Sequence, residues 1–155
     1  MSIVKVQGNA SGTGTLTIAA PNTNTNYTLS LPTASLTFAG TDVVQTFSVA
    51  QRGAVSALTD GATITPDFAV ANNFSVTLGG NRTLANPTNL TAGQSGVIVI
   101  TQDGTGSRTL AYGSYFKFSN GTAPTLTTTA SAVDVLAYYV ESSTRITARL
   151  IGDVK

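Results

Sequence analysis

Apolar and small polar residues alternate along most of this chain, and the polar partner is far more often Thr or Ser than Lys or Glu. Thr15-Leu16-Thr17-Ile18-Ala19-Ala20 and Tyr27-Thr28-Leu29-Ser30-Leu31 follow the pattern on either side of the run Pro21-Asn22-Thr23-Asn24-Thr25-Asn26. Period-two alternation bounded by Pro and Asn predicts short strands with tight connections. The same signal predicts strands at Leu36 to Phe38, Val43 to Val49 and Ala54 to Leu58. Phe74 to Leu78 is a clean alternating strand between Asn72-Asn73 and Gly79-Gly80-Asn81. Val97-Ile98-Val99-Ile100 is apolar at every position, which predicts a central strand covered on both sides.

The turn Asp103-Gly104-Thr105-Gly106-Ser107 leads into Thr109 to Phe118, and Asn120-Gly121 closes that unit. Ala132 to Glu141 is predicted to turn at Ser142-Ser143 and return as Thr144 to Ile151. Ile146, Ala148 and Leu150 then share one face, and Arg145, Thr147 and Arg149 the other. Val43, Phe47 and Ala50 also recur at helical spacing, so a helix competes with the strand over 43–52. The expected fold is all-β: an antiparallel sandwich or barrel-like domain over 41–155, preceded by an extended N-terminal β-arm over 1–40. Arg82-Thr83-Leu84-Ala85 echoes Arg108-Thr109-Leu110-Ala111. A duplicated hairpin and chance both explain the echo, and two copies fall short of a solenoid.

Charge sharpens the picture. Charged residues make up 10% of the 155, with a formal net charge of +1, against about 25% in an ordinary globular protein. Little long-range field remains to steer nucleic acid or an anionic membrane, and neither is an expected partner. A weakly charged surface suits a subunit that assembles with copies of itself. There is no cysteine and no secretion signal, so the expected site of synthesis is the cytoplasm.

The chain also has no histidine, which excludes Ser-His-Asp, Cys-His and imidazole-metal chemistry. The seven carboxylates, Asp42, Asp60, Asp67, Asp103, Asp134, Glu141 and Asp153, show no pairing by spacing. Asp134 and Glu141 fall on opposite faces of one predicted strand. No catalytic residue, metal site or cofactor is expected. Asp103-Gly104-Thr105-Gly106-Ser107 has the look of a calcium-loop fragment, but one carboxylate is too few, and a turn with positive φ at Asp-Gly explains it. Tyr112 and Tyr115 are candidate glycan-stacking residues, while Phe116 or Phe118 is expected in the core. One of Tyr138 and Tyr139 is also expected there. Arg82, Arg108, Arg145 and Arg149 are scattered, and are expected to pair with carboxylates or backbone carbonyls at subunit seams rather than to grip phosphate.

Gly12 to Pro21, followed by Tyr27 to Pro32, resembles the short repeats of tail-fibre and other fibre-like proteins of tailed bacteriophages. Phe74 to Leu150 resembles a β-rich module of phage virion proteins. Leu78-Gly79-Gly80-Asn81, Thr83 to Pro87, Ala92 to Gly96, Ile100 to Asp103, Ser107 to Gly113 and Ala132 to Leu136 carry that resemblance. It implies a virion component, commonly a homotrimer, with no catalytic residues to carry over. The shaft-like part is one hairpin long, which favours a capsid decoration (cement) protein or short head fibre on the capsid exterior. Its expected partner is the major capsid protein, bound through Ile3, Val4, Val6, Leu16 and Ile18 of the arm. The alternative is a receptor-binding tail fibre touching host surface glycan. A bacterial adhesin ranks third, for want of an export signal.

Overall fold

The protein is described here by a computed structural model covering residues 50–154, with 11, 12, 24 and 26. The chain divides into two compact units, Met1–Thr46 and Phe47–Lys155, and the architecture given is that of the second. The strands predicted before residue 50, most of the 43–52 segment, the β-arm and its capsid-contact candidates Ile3, Val4, Val6, Leu16 and Ile18 lie outside the described residues.

The described residues are almost wholly strand and turn, as the alternation predicts. The strands are β1 (Val55–Ala57), β2 (Thr63–Ile64), β3 (Asn73–Leu78), β4 (Arg82–Leu84), β5 (Ser95–Gln102), β6 (Leu110–Tyr112), β7 (Phe116–Lys117), β8 (Val133–Ser142) and β9 (Arg145–Ile151). A six-stranded sheet runs β1-β3-β5-β8-β9-β7, and a three-stranded sheet runs β2-β4-β6. From β1 to β6 the chain therefore passes back and forth between two sheets, adding one strand to each per circuit, and β7, β8 and β9 all join the larger sheet.

This corrects the antiparallel expectation for the first half of the domain. β1, β3 and β5 pair in parallel, as do β2, β4 and β6, whereas β5, β8 and β9 are antiparallel and β7 joins β9 in parallel. Parallel neighbours need a crossover, and here the other sheet's strand supplies it. Gly79-Gly80-Asn81 reads in sequence as a hairpin turn but acts as a corner. The Gly79 amide donates to Asp60 Oδ2 at 3.2 Å, and the Arg82 guanidinium bonds both oxygens of Asp60 at 2.8 and 2.6 Å. Asp60 belongs to the preceding circuit, so this corner is tied to the one before it and β4 turns away from β3. The next circuit is joined similarly, by Thr109 N to Asn81 Oδ1 (3.0 Å) and Arg82 N to Thr109 O (2.9 Å).

One further span is corrected, and one closing turn is as predicted. Thr109 to Phe118 is broken at Gly113–Tyr115, so that β6 and β7 belong to different sheets. The corner is held by Asn86, whose Oδ1 accepts from Tyr115 N at 2.8 Å and whose Nδ2 donates to Ser114 Oγ at 3.2 Å. Asn120-Gly121 lies in a one-turn 3₁₀ helix, Ser119–Gly121, with positive φ at both residues.

The core lies between the sheets. Phe74, Ile98 and Leu136 stand side by side across β3, β5 and β8, and each is almost inaccessible. Ile64, Leu84 and Tyr112 form the matching row of the smaller sheet. Val97 and Val99 are central as predicted, but their outward side is half-buried rather than covered. The final hairpin is as predicted except that its turn falls at Ser143-Thr144.

Candidate functional site

Asp60, Asp67, Asp103, Asp134 and Glu141 are used for structure. Asp103 accepts from the Thr105 and Gly106 amides through Oδ1 (3.0 and 2.9 Å), and from Arg108 Nε and Nη2 through Oδ2 (3.0 and 2.7 Å). The segment resembling a calcium loop is thus a link between sheets, closed on its own arginine. Its positive φ angles fall at Gly106 and Ser107, not at Asp-Gly. Buried Gln102 completes it, accepting from Arg108 N at 2.8 Å and donating to Arg108 O at 3.0 Å. Asp67 accepts from Ala69 N and Asn89 Nδ2, and Glu141 from Arg145 Nε at 2.7 Å and the Thr147 hydroxyl.

Asp60 and Asp103 are held below the usual carboxylate range, first by their arginines, Arg82 and Arg108. Asp67 is lowered chiefly by Asn89, and Glu141 by Thr147 and then Arg145. Carboxyl groups depressed in the folded state contribute stability that is complete above their ordinary values of 3.8 (Asp) and 4.5 (Glu) and is lost as pH falls through the lower folded ones. With no histidine in the chain, no side chain with an ordinary pKa titrates across neutrality. The melting temperature is therefore expected to stay level from about pH 5.5 to 8.5 and to drop only below about pH 4. Scanning calorimetry across that range checks this, and a transition centred near pH 6.5 would contradict it.

The aromatic cluster sorts by environment. Tyr112 packs edge-on to Phe118 with ring centroids 4.7 Å apart and to Phe116 at 6.1 Å. Its hydroxyl is buried without a hydrogen-bond partner, and burial, aided by Asp134, pushes its pKa up to about 12. Phe116 is buried, and Tyr115 and Phe118 are half-buried against the core. Tyr112 thus joins the two phenylalanines, while Tyr115 is bonded through its backbone to Asn86. Of the later pair, Tyr138 is in the core and Tyr139 is 50% exposed.

A concave region opens where short β7 leaves β9 and the chain turns through Ser119–Gly121. One cleft of about 570 Å³ is lined by Lys117, Phe118, Pro124, Arg145, Thr147 and Arg149, among others. A neighbouring cleft of about 550 Å³ is lined by Tyr112, Phe116, Lys117, Phe118 and Arg145, among others. Lys117, Phe118 and Arg145 form the wall common to both. Neither lining contains a carboxylate. Parallel pairing of β7 with β9 sets Lys117 beside Thr147, between Arg145 and Arg149 on the same face. The period of β9 marks the two arginines as co-facial, but nothing local to Lys117 foretells its parallel partner. Arg82, Arg108 and Arg145 pair with carboxylates of the same chain, whereas the expectation placed such pairs at subunit seams.

Residues 64–141, about half of the chain, match the family described as "Putative phage tail fibre C-terminal domain". The matched span runs from the end of β2 almost to the end of β8. No curated protein matches, and no solved structure does.

Proposed function

The chain belongs to the phage tail fibre C-terminal domain family and is a structural component of a phage virion; from that premise we propose that it is carried on the tail, as a fibre module that meets the host surface. The family match over 64–141 carries this reading. It shifts the weight from the capsid exterior, which the shortness of the shaft-like repeat had favoured, to the tail. The reading needs no catalysis, and the carboxylates agree with it. Asp60, Asp103 and Glu141 are each engaged by an arginine of the same chain rather than aimed together across a cleft.

We also propose a homotrimer, formed through the β1-β3-β5 side of the outward face of the six-stranded sheet and leaving β9, whose Arg145 and Arg149 lie on the same face, uncovered. Val55, Ala57, Ser75, Val97 and Val99 share that side by register, and none is charged. Val55 remains 64% exposed. Closed rotational symmetry would bury this side without open-ended growth.

Quantitative staining of purified virions tests the placement. A tail fibre is expected at a few tens of copies at most, and a shell decoration protein at hundreds, on the order set by tail and shell symmetry. Purified protein should also compete with virions for adsorption to host cells. Hundreds of copies together with no competition would reverse the reading in favour of capsid decoration.

A further inference from the structure

We propose that the cleft between β7, β9 and the Ser119–Gly121 turn binds an acidic saccharide, its anionic group held by Arg149, Arg145 and Lys117 and its ring laid against Phe118. The source of such a ligand, the host surface, rests on the reading above; the cleft's preference for an anion rests on its own geometry.

Positive charge is scarce in this chain, with eight lysines and arginines in 155 residues, and two of the arginines are committed elsewhere. Arg82 and Arg108 are closed on Asp60 and Asp103 through two nitrogens each. The cleft nonetheless gathers two arginines and a lysine, all exposed, with no carboxylate in its lining. Glu141, at its margin, offsets part of that charge by engaging Arg145 through Nε. Lys117 Nζ donates to Ser114 O at 2.7 Å, and Arg149 has no carboxylate partner among the described residues. Guanidinium groups of this kind match the paired oxygens of a carboxylate or phosphate.

The rest of the lining suits a sugar. Phe118 is braced from behind by Tyr112 and Phe116, which fixes its ring as a wall. Ser119 and Thr122 add hydroxyls. A volume of about 570 Å³ lies within the ~300–1,000 Å³ typical of small-ligand sites. Phosphate and carboxylate sugars offer the same anionic chemistry, so both are tested.

The full-length protein is titrated with trigalacturonate, glucose 6-phosphate and neutral maltotriose, followed by calorimetry and by backbone amide shifts. At least one acidic probe is expected to bind, with shifts at Phe118 and Thr147, and to bind more weakly at high salt. Which one binds tightest identifies the anion. Arg149→Glu is expected to weaken binding about tenfold or more, and Lys117→Gln to weaken it less. Glu141→Gln, which releases Arg145, is expected to leave binding intact or tighten it. Equal binding of maltotriose, shifts confined to other surfaces, or unchanged affinity in both Arg149→Glu and Lys117→Gln would overturn the proposal. So would failure of both acidic probes to bind. Adsorption competition separates this from the host-contact reading. If Arg149→Glu competes as well as the original protein, the cleft proposal fails while host contact stands. If the original protein does not compete, the host-contact reading suffers while the titration still decides the cleft.

Discussion

Replacing Gly96 by alanine is expected to destabilise the domain by about 3 kcal/mol, or to prevent folding altogether. Gly96 sits on β5 directly opposite Tyr138 of β8. The missing side chain lets Tyr138 lie across it and donate its hydroxyl to Asn72 O at 2.7 Å. A methyl group at this position would stand 2.7 Å from the Asn72 carbonyl carbon, nearer still to its oxygen, and 3.0 Å from the Tyr138 hydroxyl. The first obstacle is backbone, so relief requires β5 to move against the segment entering β3. Overpacking of this kind costs roughly 1–3 kcal/mol, and losing the tyrosine hydrogen bond adds about 0.5–1.5. Gly104 provides the control. A methyl there meets nothing within 4 Å, so Gly104→Ala should change stability by less than about 0.5 kcal/mol. Urea unfolding of the two variants side by side is the measurement. Equal midpoints would show that β5 does not need the close approach.

Gly96 also marks how far the sequence can be read. Alternation located β1, β3, β5, β8 and β9, and it assigned Ile146 and Ala148 to the inside and Arg145 and Arg149 to the outside. It did so because a strand's period is a local property and each of these strands packs one face on the core. The direction of pairing is not local. Gly79-Gly80-Asn81 would serve a hairpin equally well, and it becomes a corner because Asp60, from the preceding circuit, takes the Gly79 amide and the Arg82 guanidinium. The circuits are also unequal in length. Val55 pairs with Asn73 and Asn73 with Val97, while Thr63 pairs with Thr83 and Thr83 with Ala111. The Arg-Thr-Leu-Ala echo does fall on neighbouring parallel strands, yet Arg82 stands beside Leu110 rather than Arg108. Stacking without a fixed period leaves no clear repeat to detect. The cleft was half legible for the same reason. Arg145 and Arg149 share a face by alternation, but Lys117 and Phe118 reach them only through the parallel pairing of β7.

Asp134 is the other position where a single change should cost most. It is 2% exposed, in line with Val76 and Ile100 on the inner face of the six-stranded sheet, an expensive place for a carboxylate. Each of its oxygens accepts from a backbone amide, Oδ2 from Thr127 at 2.7 Å and Oδ1 from Asp153 at 2.8 Å. The carboxylate thereby fastens two segments without regular structure, the approach to β8 and the chain leaving β9. Asp134→Ala removes both acceptors and leaves two amides unanswered in a site with little water. Hydrogen bonds to a charged group contribute about 1.5–3 kcal/mol each, and the carboxylate's own desolvation, relieved by the change, offsets part of that sum. The net expectation is a loss of about 2–4 kcal/mol. Asp134→Asn should recover less than half of it, because an amide presents one acceptor and turns a donor toward the remaining N–H. Gln102→Ala, which removes a neutral side chain bonded to Arg108 N and O, should cost less, about 1–2 kcal/mol. Hydrogen exchange gives a second reading of the same change. In Asp134→Ala the Thr127 and Asp153 amides should lose protection beyond the global loss of stability, whereas in Gln102→Ala the excess should fall on Arg108. An Asp134→Ala variant within about 0.5 kcal/mol of the original protein, with both amides still protected, would mean that packing alone holds these segments.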